Sequence, residues 1–225
     1  MTGAYSVVIP AWNAAATLGA AIRSVLEQTA APAAIFVVDD GSQDETRAIA
    51  SSFGAAVTLI AQANAGPGAA MSNGLGRVAT PLAATLDADD LWLPHKAARQ
   101  IALMDDPLVD AAFGQVRLFA DDEGDPRGGR VMPGWLRTTM MIRTGLFHET
   151  GPVEDPPGRR GEMVDWLKRA QERGARMVHE DEVVALRRIR AGSLSSGRDP
   201  ERDKGYLHAA RAALLRRRAG GGGAA

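Results

Sequence analysis

Apolar residues in this chain gather into short runs parted by polar turns, and the first half repeats one pattern. Tyr5 to Ile9 (Tyr-Ser-Val-Val-Ile) is β-branched and apolar, and Pro10 is expected to stop it. Asn13 can cap a helix over Ala14 to Thr29, where Leu18, Ile22, Val25 and Leu26 recur at helical spacing. Ala34 to Val38 reads as a second buried strand, ending at Asp39-Asp40-Gly41-Ser42. Asp44 and Glu45 suit the N-terminus of a short helix reaching Ser52. Ala56 to Ile60 gives a third strand, a helix follows near Gly68 to Val78, and Leu82 to Leu86 gives a fourth strand. Alternating strands and helices without hairpin signals predict an α/β fold, with a mostly parallel central sheet flanked by helices.

After Trp92 the pattern loosens. Pro94 to Met104 reads as helix, Ala111 to Phe119 as strand, and Ala120 to Arg130 as a charged, glycine-rich loop. Trp135 to Ile142 is read as a strand and Arg143 to Thr150 as a helical turn. Gly161 to Arg173 is amphipathic, with Met163, Trp166, Leu167 and Ala170 on one side. Ala175 to Leu186 holds a last strand or two, and Asp203 to Arg218 a last helix. We expect one domain over residues 1–218, with 1–92 and 93–218 doing separate work, and a flexible tail over 219–225.

The net charge of −1 hides an asymmetry: residues 1–157 carry 10 Lys/Arg against 18 Asp/Glu (net −8), and 158–225 carry 16 against 9 (net +7). The basic portion fits an anionic substrate, a membrane surface or a solvated helix face. Without cysteine there are no disulfides, thiolate nucleophiles or Cys-ligated zinc. His95, His148, His179 and His208 are scattered without ligand spacing. No apolar run approaches the length of a membrane span, and Met1 to Ala4 reads as leaving no room for a signal peptide. A soluble, cytoplasmic protein is expected, with peripheral membrane contact left open. Arg216-Arg217-Arg218 ends a helix without interleaved aromatics, which argues against nucleic acid as a partner.

Candidate chemistry falls where the strands stop. Leu82 to Leu86 runs into Asp87-Ala88-Asp89-Asp90, three carboxylates within four residues. In an extended chain Asp87 and Asp89 share a face, and two converging carboxylates suit Mg²⁺ or Mn²⁺ with positions left for phosphate oxygens. The competing reading is an acidic turn that caps the next helix. Recurrence at one sheet edge, in Pro10-Ala11-Trp12-Asn13 and Asp39-Asp40-Gly41-Ser42, favours a ligand site beyond the carboxyl ends of the strands.

Four segments, in order and spacing, resemble the family-2 glycosyltransferases: Val7 to Asn13, Val37 to Thr46, Asn64 to Ala70 and Leu86 to Asp90. The resemblance is strong over residues 5–100 and weaker over 135–196. It implies a GT-A fold, a nucleotide-sugar donor (UDP first), a divalent metal cofactor (Mn²⁺ or Mg²⁺) and inversion at the anomeric carbon. Carried onto this chain, it makes Pro10, Trp12, Asn13, Asp39, Asp40 and Asp87 nucleotide-sugar-binding residues. Trp12 would stack on the base, Asp39 would accept a hydrogen bond from it, Asp87 would lie near ribose and metal, and Asp89 would hold the metal. Trp12 as core, and Asp40 with Ser42 as a turn, are the plainer alternatives.

Two positions depart from the family. The catalytic base is normally an aspartate directly after a glutamate, and here Met163 follows Glu162. Glu162 and Asp165 are the candidate bases, Glu162 preferred, and a shifted alignment offers Glu154 or Asp155. Met71-Ser72 stands where the family often carries Arg-Asn near the donor, and Arg77 reads as solvated rather than as a replacement. Arg188-Ile189-Arg190 resembles a late Arg-x-His segment with Arg190 in the histidine's place, either on the diphosphate or on the surface. The resemblance implies transfer of a sugar from a nucleotide diphosphate to a hydroxyl of an acceptor (a glycan, a lipid-linked molecule or a small molecule). A non-catalytic nucleotide-sugar or partner binder on the same fold is the alternative that Met163 and Met71 keep open.

Overall fold

The computed structural model describes residues 3–120, 129–158, 160–189 and 200–220. The chain runs β1 (Tyr5–Ala11), α1 (Leu18–Leu26), β2 (Ala34–Asp40), α2 (Thr46–Ser52), β3 (Thr58–Gln62), α3 (Pro67–Leu75), β4 (Leu82–Thr85) and β5 (Leu91–Trp92). There follow α4 (Lys96–Met104), β6 (Ala111–Phe119), β7 (Val131–Gly134), β8 (Met141–Arg143), α5 (Thr144–Thr150), α6 (Glu162–Glu172), β9 (Met177–Arg188) and α7 (Pro200–Gly220). One sheet holds these strands in the order β3-β2-β1-β4-β8-β6-β9-β5, with β7 on β6. β3, β2, β1 and β4 are mutually parallel, and β8 joins β4 antiparallel. The expected α/β architecture is therefore present, and the sheet runs without a break from the first half into the second.

Alternation along each strand builds a core on each face. Val7, Ile9 and Ala84 point to the side covered by α1, α2 and α4. Val8, Val38 and Ala83 point to the side covered by α3, α5 and α6, where Met71, Phe113, Met163 and Trp166 also sit. α3 lies close on the sheet because residue 74 is glycine: a β-carbon there would overlap Val8 and press on Val38 at 3.0 Å. No helix among the described residues is long and apolar enough to cross a membrane.

Several local expectations are corrected. β1 continues through Pro10 to Ala11. The Val8 carbonyl faces the β4 side, accepting the Leu86 N–H, and the β1–β4 pairing stops at Val8–Thr85. Two residues on, Pro10 turns its missing N–H toward that vacated side, where no ladder bond is lost. α1 begins at Leu18 rather than Ala14, and Asn13 is not its cap. Asp87 to Asp90 is a turn closed by the Asp90 N–H on the Asp87 carbonyl at 3.0 Å, not extended chain. Residues 135–142 are not one strand: a 3-10 turn over Arg137–Thr139 separates β7 from β8. α7 runs to Gly220, and residues 221–225 of the expected tail lie outside the described residues.

That 3-10 turn has a topological cause. β9 follows one edge of β6 from Ala111 to Phe119, so β7 and β8 share the other edge in succession. The chain between them, residues 135–140, must pass the carboxyl end of β4. It thereby meets the acidic turn.

Candidate active site

Three loops at the strand ends are tied together by side chains. Asn13 adopts φ 47°, and it exchanges bonds with the next loop: its N–H donates to Ser42 Oγ and its Oδ1 accepts the Gln43 N–H, each at 2.9 Å. Asp39 is fully buried, accepts the Ser42 N–H at 3.2 Å and is paired with Arg47 Nε at 2.6 Å. Asp40 accepts from Gln62 Nε2 and the Ala65 N–H at 2.8 Å and from the Gly66 N–H at 2.9 Å, which holds the loop before α3. Its carboxylate organises this edge from inside. Trp12 is 55% exposed above these loops and is not a core residue.

The acidic turn lies beside them. Asp87 and Asp89 are partly exposed, while Ala88 and Asp90 are buried. Asp90 accepts from Thr138 Oγ1 at 2.5 Å and from the Arg188 N–H at 2.9 Å. Burial first, and then the negative fields of Asp87 and Asp89, push its carboxyl up to about 8. The bonds from Thr138 and the Arg188 N–H, which favour the charged form, do not offset this. Arg188 Nε also donates to the Asp89 carbonyl at 2.9 Å, so the end of β9 clasps the turn. Arg190 lies outside the described residues.

Residues 137–140 supply what the first half lacks. Arg137 Nε sits 3.0 Å from Asp87, and Nη1 sits 3.5 Å from Glu162, the first residue of α6. Burial disfavours the charged guanidinium, but Asp87, Glu162, Asp155 and Asp89 more than reverse that, and the net effect raises its pKa. Nη1 is buried without a hydrogen bond and faces the Glu162 carboxylate at ion-pair distance. Four consecutive carbonyls behind it are each held by a side chain. The Arg137 oxygen accepts from Thr85 Oγ1 at 2.6 Å, and that of Thr138 from Trp92 Nε1 at 2.7 Å. The Thr139 oxygen accepts from Gln100 Nε2 at 2.7 Å, and that of Met140 from Lys96 Nζ at 3.2 Å. Lys96 is buried with Nζ 3.9 Å from the Trp92 ring centroid, and burial holds its amine well below the usual lysine range.

Of the candidate bases, Glu162 is the one placed beside Arg137. Asp165 faces away, with its oxygens paired to Arg169 and Arg216, each at 2.9 Å. Asp155 accepts the Gly68 and Ala69 N–H groups at 3.0 Å, at the N-terminus of α3. Gly66 is required there: φ is 104°, and a β-carbon would stand 2.5 Å from the Asp155 carboxylate. Glu154 is exposed. Met163 is buried against Trp166, and Met71 is buried beneath the sheet. Arg77 is exposed and leans on Asn73 at 3.4 Å. Arg216 also pairs with Glu172, at 2.8 Å, so this part of the basic run braces α6 against α7.

Arg137 belongs to none of the motif segments along the chain. One signal was present: a single charge inside the apolar run Trp135 to Ile142 demands a carboxylate partner if the run is buried. Among the described residues no three His, Cys, Asp or Glu side chains converge as a closed metal cage. The donor set present is of the open kind, two partly exposed carboxylates on one turn. It fits a hard divalent cation whose remaining ligands come from phosphate and water.

Known proteins resemble this chain in sequence and in fold. The family model described as Glycosyl transferase family 2 matches residues 6–171. The succinoglycan biosynthesis protein ExoU of Rhizobium meliloti is 29% identical over 238 residues, covering 93% of this chain and 68% of that protein. The Escherichia coli glucosyltransferase WfgD, named for transfer from UDP-Glc to α-D-GlcNAc-diphosphoundecaprenol, is 36% identical over 51% of this chain and 46% of its own length. An uncharacterised Nostoc glycosyltransferase is 41% identical over 42% of this chain, a match spanning 30% of the Nostoc protein. Among solved structures, Staphylococcus aureus TarS with UDP-GlcNAc superposes with a TM-score of 0.75 at 17% identity, over 94% of this chain and 66% of that one. The Pyrobaculum calidifontis mannosyltransferase PcManGT, in complex with GDP-Man and Mn²⁺, gives 0.66 at 18% identity, over 98% and 76%. These likenesses show the GT-A fold. With nearly three quarters of its length under one family model, the chain belongs to glycosyl transferase family 2.

Proposed function

We propose that this chain transfers a sugar from a nucleotide-diphosphate sugar, UDP-linked first, to an acceptor hydroxyl, with inversion at the anomeric carbon. The observation that carries the reading is the single guanidinium of Arg137 bridging Asp87 of the acidic turn and Glu162 at the start of α6. It supports a donor site and a base that face one another across one cation. The relative named for UDP-Glc and the TarS complexes with UDP and UDP-GlcNAc support the donor class.

In this reading Trp12 stacks on the base, an interaction that contributes on the order of 1–3 kcal/mol in comparable stacks. Asp39 accepts from the base, and Asp87 lies at the ribose. Asn13, Pro10 and Asp40 shape the loops that receive the nucleotide. Asp89, with Asp87 beside it, would hold a divalent cation, whose Lewis acidity offsets charge on the departing diphosphate. Glu162 takes the proton of the acceptor hydroxyl as its oxygen attacks the anomeric carbon from the face opposite the leaving group. Arg137 holds Glu162 in place and adds positive charge where the diphosphate departs.

Calorimetric titration of UDP with and without Mn²⁺ tests the donor site. Binding that requires the metal and collapses in Asp89→Ala is expected, and metal-independent binding would remove the assignment. A second reading rests on the burial of Met163 in the core, which removes the usual base: the chain would bind a nucleotide sugar without turning it over. Incubation with UDP-, GDP- and dTDP-sugars separates the two. Donor breakdown or transfer supports the enzyme, and tight binding without either supports the binder.

A further inference from the structure

Two residues before Arg137, an indole stands half out of the protein. Trp135 is 42% exposed, and its ring is flanked by Phe113 at 4.9 Å and His179 at 5.2 Å, tilted 43° and 41°. Phe113 is fully buried in the same apolar cluster as Met163 and Trp166, so Trp135 lies on the α6 side of the sheet. The backbone beside it is fixed. His179 Nε2 accepts the Gly134 N–H at 3.2 Å, the Gly134 carbonyl accepts from the Thr139 hydroxyl, and the Leu136 carbonyl accepts the Thr139 N–H at 3.1 Å.

A single exposed apolar side chain needs no explanation. This one differs from the exposed leucines of α7. It is braced by two rings on a pinned backbone, two residues before the arginine that touches both Asp87 and Glu162. A half-exposed indole two residues along the chain from a cation that meets two carboxylates matches the two-sided character of a pyranose. Such a ring offers C–H groups on its face and hydroxyls around its rim. An acyl chain would instead want a longer apolar groove without charge beside it.

We propose that Trp135, braced by His179 and Phe113, is the platform of an acceptor subsite and receives the apolar face of a pyranose, so that the acceptor is a carbohydrate. The proposal rests on the transferase reading above and names its acceptor class.

Labelling the indole nitrogens gives one signal for each of the four tryptophans, with that of Trp135 assigned from its loss in Trp135→Phe. Methyl glycosides of glucose, galactose, mannose and N-acetylglucosamine are titrated with and without UDP. At least one is expected to move the Trp135 signal while the buried Trp92 and Trp166 stay in place. In transfer assays Trp135→Ala should raise the acceptor KM about tenfold while its UDP affinity stays within about twofold, and Trp135→Phe should recover most of the loss. A Trp135 signal unmoved by every glycoside, or moved by protein concentration instead, would overturn the platform. So would a Trp135→Ala variant that loses UDP affinity as strongly as transfer. If the parent protein binds and breaks no nucleotide sugar, the transferase reading fails, and the glycoside titration still decides for or against the platform.

Discussion

Asp39 and Asp40, at the end of β2, find their partners in the turn after β2, on α2, and on the neighbouring parallel strand β3 with its loop, at Ser42, Arg47, Gln62, Ala65 and Gly66. Arg137 finds its partners at Asp87 and Glu162, on elements far from it in the chain, and its carbonyl is held by Thr85. The donor edge is thus a product of parallel topology, because strands that all end on one side bring their loops together whatever the helices do. The facing region exists only once β4, α4, β7, β8 and α6 have all packed. A turn can carry its own chemistry, whereas a bridge borrows it from both banks.

This contrast can be broken in order of expected size. Glu162→Gln should lower turnover by about 10²–10⁴-fold, with UDP affinity little altered, measured as initial rates at saturating donor. Full turnover would place the base elsewhere and leave the 135–165 region as mere support. Asp40→Ala should cost about 1–3 kcal/mol in urea unfolding, because it leaves the buried Gly66 N–H without an acceptor and frees the loop at Gln62 and Ala65. A variant as stable as the parent would show that the donor edge is not built by its own loops.

Asp90→Asn is the finest probe, since Asp90 ties the acidic turn to Thr138 and to the end of β9 at Arg188. Its carboxyl is pushed up to about 8, so the folded chain holds that proton more tightly than the unfolded chain does. The stability this contributes is fully present below the ordinary carboxylate range and is lost as pH rises from about 4 through about 8. Asp90→Asn should flatten that decline, measured as Tm across the same window; an unchanged slope would mean that the acidic turn is not crowded.

The legibility of each part follows from the same difference. Alternation of apolar runs was enough to read the strands, and the strand ends carried Asp39 and Asp87 with them. Asn13 was read as a helix cap because Asn in that place usually is one, and only the neighbouring loop reveals its bonds to Ser42 and Gln43. Trp135 to Ile142 looked like a strand because its apolar pattern allows one. What bends Arg137–Thr139 into a turn is a set of donors on β4, β5 and α4 that local sequence does not contain. Met163 was recognised as the wrong residue for a base, but the orientation of Glu162 toward Arg137 is tertiary information.

The four carbonyls behind Arg137 are gripped by a hydroxyl, an indole, an amide and an amine on three separate elements. For residues 137–140 to swing aside, all four bonds would have to open together, which amounts to unfolding the centre of the sheet rather than moving a loop. Substrate entry and product exit must therefore be timed by something other than this segment. In hydrogen exchange its amides should open only with the slowest cooperative unit, making the arginine a fixed post past which substrates move.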